Sequence, residues 1–333
     1  MRIGIEVSPL TRARTGVGNY THFLLKAMLA ENTGMAFHGF SSGMGEIWLE
    51  GLEGLESHRH VPLPTRALYQ CWSAFGWPRV DRLLGGVDLY HATNYFLPPV
   101  ALARRVVTFY DLTFIKHPEW CSPKIVGPFA NNVRGFAREA DALLVCSEAT
   151  KRDVVELLGV VPEKITVAYG AVDEGFTPIL REAAEERVAA KLGLPMPYLL
   201  FVSTLEPRKN IEGLLRAFAR IKQEIPHTLV LAGAPGWNMG DLDVRIAALG
   251  LESRVRRMGY VADRADLPAL YAAADAFVFP SFYEGFGLPV LEAMTCGCPV
   301  IVSNRASLPE VAGDAARYVD PDSMEDIARA MRE

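Results

Sequence analysis

Residues 279–292 read Phe-Pro-Ser-Phe-Tyr-Glu-Gly-Phe-Gly-Leu-Pro-Val-Leu-Glu and place two carboxylates, Glu284 and Glu292, around a glycine-broken turn. The apolar run at 276–279 predicts a short buried strand before the turn. Residues 288–295 predict a helix whose second residue is a proline, which suits a first helical turn because its φ is fixed. The stretch is therefore a strand-loop-helix junction.

A junction of this kind can bind an oxygen-rich ligand. The first N–H groups of the helix are unpaired and carry partial positive charge, and Gly285 and Gly287 leave room for phosphate or sugar oxygens. Glu284 and Glu292 could then accept hydrogen bonds from sugar hydroxyls. The alternative is that Glu292 only complements the helix dipole and Glu284 is a solvated turn residue, and the junction alone leaves both interpretations open.

Composition limits the class of protein. A chain of 333 residues, half of them hydrophobic, favours two domains over one. The net charge of −5 disfavours nucleic acid as a partner. The five cysteines show no Cys-x-x-Cys spacing and no histidine partners, so a reducing cytosol is expected. The first apolar run is too short for a signal peptide, and no run approaches the roughly 18 apolar residues that span a bilayer.

Strands alternate with helices along the whole chain, which predicts an α/β protein built on doubly wound parallel sheets. We expect an amino-terminal domain over residues 1–178 and a carboxy-terminal domain over 190–333, with the charged helix 182–191 in the connection between them. The predicted strands are 3–7, 87–91, 105–109, 142–146, 165–168, 198–202, 228–232, 255–258, 276–279, 298–302 and 316–319.

The first strand is followed by a glycine loop containing Gly16 and Gly18, before a helix predicted to begin at Tyr20. Such a loop lets an anionic group approach the backbone. A dinucleotide fingerprint would need a third glycine at the position of Thr21, so the pattern is weak evidence for a dinucleotide and fits a plain turn equally well.

Polar residues follow several strands of the first half, at the sheet edge where ligands bind in open α/β folds. Asp111 is the candidate site residue among them. Ser147 is expected to cap the helix 148–158. His91 and His117 have no partner at ligand spacing and are interpreted either as structural or as residues that support others in contact with a ligand.

Two adjacent cations, Arg208 and Lys209, follow the strand 198–202 and precede a helix that Asn210 is expected to cap. Cations at a helix amino terminus oppose its dipole by roughly 0.3–1 kcal/mol unless an anion lies between them. A diphosphate would supply that anion, since arginine binds it as a fork and lysine as a point charge. Two solvated cations are the alternative.

Asp241 and Asp243 match the Asp-x-Asp by which some sugar transferases bind a divalent metal. They fall where a helix starts, and aspartate is the expected cap and first-turn residue there. No metal site is therefore predicted.

Residues 66–82 interleave aromatic and cationic side chains. Two interpretations remain open: a helix pair that packs its aromatic residues inward, or an interfacial surface for a membrane or a lipid-bearing acceptor.

Three motifs together closely resemble the retaining glycosyltransferases of family 4, which have the GT-B fold of two Rossmann-like domains facing across a cleft. The motifs are Glu206-Pro-Arg208-Lys209-Asn210, the Glu284-x7-Glu292 pair with Gly285-Phe-Gly-Leu288, and Leu308-Pro-Glu310. The resemblance extends over nearly the whole chain, because Gly16-Val-Gly18, Ser147-Glu-Ala-Thr-Lys151 and Gly233 to Trp237 also resemble family motifs in the same order.

The resemblance implies a donor site and a catalytic group of residues. Arg208 and Lys209 would bind the donor diphosphate, Glu284 the hexose hydroxyls and Glu292 the ribose. The residues implied in donor binding are Gly16, Gly18, Arg208, Lys209, Tyr260, Val261, Glu284, Gly285, Phe286, Gly287, Leu288 and Glu292, and the catalytic group is Arg208, Lys209, Glu284 and Asp111.

The implied activity is transfer of a hexose from a nucleotide-diphosphate sugar to a saccharide or lipid-linked acceptor, with mannose as the favoured hexose. The implied role is in the synthesis of a cell-surface polysaccharide or glycolipid. GDP-mannose is favoured over a UDP-hexose, with no metal required. The expected location is the cytoplasm, with peripheral contact at the inner face of the membrane. A same-fold sugar-nucleotide epimerase or phosphorylase, or a dinucleotide-dependent oxidoreductase, are the alternatives.

Two features depart from the family pattern. Tyr110 stands before Asp111 where many relatives have a histidine, and a tyrosine hydroxyl can donate a hydrogen bond but carries no charge near neutral pH. The last predicted helix also stops at Glu333, whereas relatives continue through further helices, so a truncated tail is expected.

Overall fold

The structure is a computed structural model that describes residues 1–11, 15–31 and 34–333. The chain divides into two compact units. The first unit contains Met1–Ile115 and Lys124–Ala171, and the second contains Lys116–Pro123 and Val172–Glu333.

The first unit carries a parallel sheet of seven strands in the order β3-β2-β1-β4-β5-β6-β7. Its elements in chain order are β1 (Arg2–Glu6), α1 (Gly16–Ala30), β2 (Ala36–Ser42), β3 (Ser57–Val61), α2 (Thr65–Phe75), α3 (Val80–Leu83), β4 (Leu89–Ala92), β5 (Arg104–Phe109), α4 (Thr113–Lys116), α5 (Pro123–Ala130), α6 (Val133–Glu139), β6 (Ala142–Val145), α7 (Glu148–Leu158) and β7 (Ile165–Val167).

The second unit carries a parallel sheet of six strands in the order β10-β9-β8-β11-β12-β13. Its elements are α8 (Arg181–Leu192), β8 (Tyr198–Val202), α9 (Ile211–Ile221), β9 (Thr228–Ala232), α10 (Leu242–Ala248), β10 (Val255–Gly259), α11 (Leu267–Ala272), β11 (Ala276–Phe279), α12 (Leu288–Thr295), β12 (Val300–Ser303), α13 (Leu308–Ala312), β13 (Ala316–Val319) and α14 (Met324–Arg332).

Both sheets are doubly wound, which confirms the predicted fold class. In each, the strand order reverses next to the first strand: between β1 and β4 in the first unit and between β8 and β11 in the second. Ligands of such sheets bind beyond the carboxyl ends of the strands at this reversal, because the loops there diverge to opposite faces and leave a crevice. The second reversal lies at the ends of the two strands that precede Arg208 and Glu284.

Helix α8, expected to form part of a connection, belongs to the second unit. Ala184 and Val188 on its inner face are fully buried in the core that also contains Tyr271 and Phe277. Most residues of this helix are polar and its apolar stripe is narrow. Composition alone therefore does not indicate that the helix packs against the core of the second unit.

Among the described residues, no helix is both long enough and apolar enough to cross a lipid bilayer.

Candidate active site

The candidate site is formed by two loops that follow neighbouring strands at the reversal of the second sheet. Residues 207–209 form a short 3₁₀ turn after β8, and residues 280–287 connect β11 to α12. The Phe282 N–H donates to the carbonyl oxygen of Arg208 at 2.8 Å and joins the loops directly. The fold therefore brings together the cation pair and the acid that the sequence separates by 75 residues.

Four charged side chains form the centre of the site. Arg208 Nη1 donates to Glu284 Oε2 at 2.7 Å, and its Nε lies 2.6 Å from Glu206 Oε1. Lys209 Nζ donates to Glu284 Oε1 at 2.6 Å. Glu284 therefore bridges the two cations.

This arrangement corrects the prediction that the cations face a helix amino terminus with no anion from the protein. Asn210, in the left-handed region at φ 57°, separates the 3₁₀ turn from α9 and caps that helix through Gly213 N. The two carboxylates of Glu206 and Glu284 already supply negative charge between the cations, so electrostatic conflict alone does not require a bound diphosphate.

Burial makes these contacts strong and sets the protonation of the groups. Lys209 is only 5% exposed and Glu284 5%. Burial alone would raise the pKa of Glu284, but Arg208 and Lys209 hold it below its usual value, so the carboxylate stays ionised. Burial and the neighbouring Arg208 lower the pKa of Lys209, against the opposing attraction of Glu284. A buried charge network of this kind depends on accurate geometry.

Side chains from outside the two loops fix the main chain around Glu284. Ser307 Oγ donates to the carbonyl oxygens of Glu284 and Phe286, at 2.9 and 2.8 Å. Asn210 Nδ2 donates to the carbonyl oxygen of Pro280 at 3.1 Å. The loop is therefore held at several points although it contains neither helix nor strand.

Gly287 makes the close turn into α12 and is the helix N-cap. Its φ is +107°, and a Cβ here would lie 2.7 Å from Leu308 Cδ2. Gly285, Phe286 and Leu288 belong to the same turn as Gly287. The backbone of residues 285–288, implied in donor binding, therefore lies together at the amino terminus of α12.

Glu292 lies one turn into α12 and is held by two side chains. Its Oε1 accepts from Arg264 Nη2 at 2.9 Å and its Oε2 from the Tyr271 hydroxyl at 3.0 Å. Burial raises the pKa of this carboxyl, although Arg264 opposes the rise. Tyr260, at the end of β10, is 52% exposed. Val261, beside it, packs partly against the core.

In the first unit, Gly16 and Gly18 lie inside the first turn of α1 and not in a loop before it. The helix begins four residues earlier than predicted because its N-cap is Thr15, and the amino-terminal N–H groups therefore belong to the glycine turn itself. Gly16 is exposed and a Cβ on it would meet no atom within 4 Å, whereas Gly18 is buried.

Asp111 and Tyr110 both make structural contacts. Asp111 Oδ1 accepts from the N–H of Thr113, the first residue of the short helix α4, at 2.9 Å. The hydroxyl of the half-buried Tyr110 donates to the carbonyl oxygen of Thr93 at 2.6 Å, and desolvation raises its pKa well above the usual value. Tyr110 therefore keeps its proton and does not replace a charged histidine.

Three residues have the structural roles predicted from the sequence: Ser147, Asp241 and His91. Ser147 caps α7 by accepting from Thr150 N. Asp241 caps α10 by accepting from Asp243 N and Val244 N. His91 is buried and bonded to Thr108, and burial lowers its pKa to about 4.

The sequence alone indicates no role for Glu206 or Ser307. Glu206 is 2% exposed and pairs with Arg208 Nε, and the only local signal is an acid two positions before an arginine. Ser307 is fully buried and lies just before α13. Its spacing from Glu284 carries no periodic signal, because only the packing of α12 and α13 brings the two together.

The doubly wound sheets define a class of α/β proteins that bind ligands at a sheet reversal, and the buried cation-carboxylate cluster lies at that position in the second unit. Two family models match the chain: Glycosyltransferase Family 4 over residues 14–176 and Glycosyl transferases group 1 over residues 183–333. The chain belongs to this glycosyltransferase family, which confirms the resemblance drawn from its motifs.

Among its relatives, the O-antigen chain mannosyltransferase B of Escherichia coli is 38% identical over 72% of this chain and 63% of the relative. The serotype-specific mannosyltransferase WbdA of E. coli is 36% identical over 61% of this chain and 25% of the relative. The matches thus extend over less than two thirds of these relatives' length. The sucrose-phosphate synthase from Thermosynechococcus elongatus superposes with a TM-score of 0.76 at 21% identity, covering 100% of this chain and 89% of that one. This likeness shows the GT-B fold.

Proposed function

We propose that the protein transfers a hexose from a nucleotide-diphosphate sugar to a saccharide or lipid-linked acceptor, with retained configuration. Mannose is the favoured hexose. The transfer would serve the synthesis of a cell-surface polysaccharide or glycolipid. The observation that carries the proposal is the cluster of Arg208, Lys209 and Glu284 at the reversal of the second sheet. The names of the mannosyltransferase relatives support the choice of sugar.

In the proposed reaction, the bond between the anomeric carbon and the diphosphate breaks while the acceptor oxygen bonds to the same face of that carbon. The acceptor proton passes to an oxygen of the departing diphosphate. Arg208 and Lys209 stabilise the negative charge that grows on the diphosphate, and no metal is needed for that role. Removing one such preorganised donor typically costs about 10²–10³ in rate.

Glu284 acts on the hexose and on the cations at once. Each carboxylate oxygen has two lone pairs, so an oxygen that accepts from Arg208 or Lys209 can also accept from a sugar hydroxyl. Glu292 acts on the ribose in the same way, while Arg264 and Tyr271 orient its carboxylate. The pairing with protein groups fixes both acids before the donor arrives, which lowers the entropic cost of binding.

The first test is thermal shift with GDP, UDP and ADP, followed by transfer from GDP-mannose and UDP-glucose to an added saccharide acceptor. We expect GDP to give the largest rise in melting temperature and Lys209→Ala to abolish both that rise and the transfer. Arg220→Ala, which removes an exposed cation of α9 paired with Glu325, is the matched control and should behave as the parent. Unchanged transfer in Lys209→Ala would contradict the diphosphate role. Turnover of the donor without an acceptor would favour an epimerase or phosphorylase, and binding of NADH an oxidoreductase.

We also propose peripheral contact with the inner face of the cell membrane, through a surface around α2. The first interpretation of residues 66–82, aromatic residues packed inward, applies to some of these side chains and not to others. Trp72 is buried at 6% exposure and Tyr69 stacks on Phe96, with ring centroids 3.8 Å apart. In contrast, Phe75 is 80% and Trp77 71% exposed.

The charge around these two side chains supports an anionic surface as the partner. Arg66, Arg79 and Arg82 are exposed and take part in no ion pair among the residues that the structure describes. Asp81, the acid among them, is buried and accepts from the N–H groups of Ala101 and Leu102. Exposed aromatic rings next to unpaired arginines suit the headgroup region of an anionic bilayer.

Flotation with vesicles tests the membrane contact. The parent should float with vesicles that contain an anionic lipid and less so with neutral phosphatidylcholine, and the double variant Phe75→Ala, Trp77→Ala should lose flotation. Trp72 is unsuitable for this purpose because it is buried. Gln70→Ala, an exposed change on the same helix, is the control. A parent that binds neither vesicle would end this proposal and leave the transferase proposal intact.

A further inference from the structure

Residues 116–123, between α4 and α5, belong to the second compact unit although the chain on both sides belongs to the first. The Trp120 carbonyl oxygen accepts from Trp237 Nε1 at 2.7 Å. The Trp120 ring stacks on Phe282, with centroids 5.4 Å apart and planes 22° from parallel. The segment is therefore attached to the loop that carries Glu284.

Two further side chains of the segment extend this contact. His117 stacks on Trp120 with centroids 3.9 Å apart, and its ring centroid lies 6.3 Å from that of Tyr283. Lys116 Nζ lies 5.3 Å from the centroid of the Tyr283 ring. We call the four rings of His117, Trp120, Phe282 and Tyr283 the aromatic clasp.

The aromatic clasp connects to the charged centre through main-chain atoms. Phe282 N donates to the carbonyl oxygen of Arg208, and the Tyr283 carbonyl oxygen accepts from Arg208 Nη1 at 3.1 Å. The next residue is Glu284. A shift of the two clasp residues on the loop would therefore move the guanidinium and the carboxylate that face each other.

We propose that the aromatic clasp is a positioning device for the donor site: it fixes the loop after β11 so that Arg208 and Glu284 stay in register with the donor. This inference rests on the proposed function. Ser307 and Asn210 hold the main chain of the loop, whereas the clasp holds its two aromatic side chains. The loop has no helix or strand to keep it in place, and a displacement of about 1 Å at a catalytic group can cost about 10²-fold in rate.

Three variants of the full chain test the clasp. Trp120→Ala removes the central ring, and Trp120→Phe keeps a stacking ring. Trp237→Phe removes the indole N–H that donates to the Trp120 carbonyl oxygen and keeps a smaller aromatic ring. The measurements are calorimetric binding of GDP and UDP, and kcat and KM for transfer from the donor that the parent uses.

We expect Trp120→Ala to lower kcat by about 10- to 100-fold and to weaken nucleoside diphosphate binding by only about 3- to 10-fold, because misplaced charges affect the transition state most. Trp120→Phe should remain within about 3-fold of the parent in both, and Trp237→Phe should fall between them. Tyr198→Phe, which removes a buried hydrogen bond to Leu270 in the same unit, controls for lost stability.

The outcomes separate this inference from the proposed function. A parent that binds GDP and transfers sugar, with Trp120→Ala unchanged in both, overturns the clasp alone. Equal losses of kcat in Trp120→Ala and Tyr198→Phe at equal loss of melting temperature also overturn it, since the ring would then contribute only stability. A parent that neither binds a nucleoside diphosphate nor transfers sugar overturns both.

Discussion

The Glu284 carboxylate bridges a buried lysine and a partly buried arginine, so its role in binding cannot be separated from its role in holding the cations. Removing one partner of a buried ion pair typically costs about 3–5 kcal/mol, because the other charge stays buried without compensation. A glutamine keeps one acceptor oxygen for Lys209 or Arg208 but removes the charge. Glutamine is therefore the substitution that tests chemistry with the least structural damage.

We predict that Glu284→Gln lowers kcat by about 10²–10³-fold with a small change in nucleoside diphosphate affinity, since the proposed function assigns this acid to the transferred sugar. Glu292→Gln should do the reverse and weaken nucleotide affinity more than it lowers kcat, since the proposed function assigns this acid to the ribose of the departing nucleotide. Steady-state kinetics together with calorimetric GDP binding on both variants check the contrast. Equal effects of the two substitutions on both quantities would contradict the separate roles.

Glu6, at the end of β1, is a buried titratable group of the first unit. Burial raises its pKa to about 7, although hydrogen bonds from Ser8 and Thr93 oppose the rise. Between the ordinary value of 4.5 and about 7, the folded carboxyl holds a proton that the unfolded chain releases. Stability is therefore lost as pH rises through this window.

We predict that Glu6→Gln, which stays neutral, gains stability relative to the parent by about 2–3 kcal/mol between pH 5 and pH 8, at about 1.4 kcal/mol per pKa unit. Urea unfolding at several pH values measures the difference. Glu163→Gln, at an exposed acid of the same unit, should keep the pH dependence of the parent. A constant difference between Glu6→Gln and the parent at all pH values would mean that Glu6 is ionised throughout.

At the scale of single elements, helix α7 depends on its cap. Ser147 is fully buried, and its Oγ both accepts from Thr150 N and donates to Thr150 Oγ1, at 3.0 Å in each case. We predict that Ser147→Ala destabilises the first unit by about 1–2 kcal/mol. Ser73→Ala, on the exposed face of α2, should change stability by less than about 0.5 kcal/mol. Chemical unfolding of the three proteins compares them, and a loss below that of Ser73→Ala would argue against the cap.

The elements found from sequence were those whose apolar residues are continuous. Strands β8, β9, β11 and β13 and helix α12 have the predicted bounds, because buried runs between loops carry a local signal. Strands β2 and β3 were missed. Ser41 on β2 is fully buried, and its Oγ forms hydrogen bonds with both His58 and His60 on β3. These cross-strand hydrogen bonds pair the polar side chains of the two strands. Polar strands of this kind carry no hydrophobic pattern that would predict them.

At the scale of the molecule, the chain has two compact units with separate cores. We predict two calorimetric transitions, of which GDP raises only the one that belongs to the second unit, because a ligand stabilises the unit that it binds. Glu6→Gln at pH 8 should raise the temperature of the transition that belongs to the first unit and leave that of the second unit unchanged. Scanning calorimetry of the parent and this variant, with and without GDP, tests the assignment. One transition that responds to both changes would show that the units unfold together.

The sequence alone determined the fold class, the family and the identity of the charged residues, because strand periodicity, glycine turns and short motifs are local features. Only the tertiary structure decided what those residues contact. From sequence, the cations Arg208 and Lys209 are predicted to bind an anionic ligand. In the structure they form ion pairs with carboxylates of the protein itself, Glu206 and Glu284. These contacts arise because a doubly wound sheet places the ends of β8 and β11 side by side, and no pattern along the chain encodes that juxtaposition.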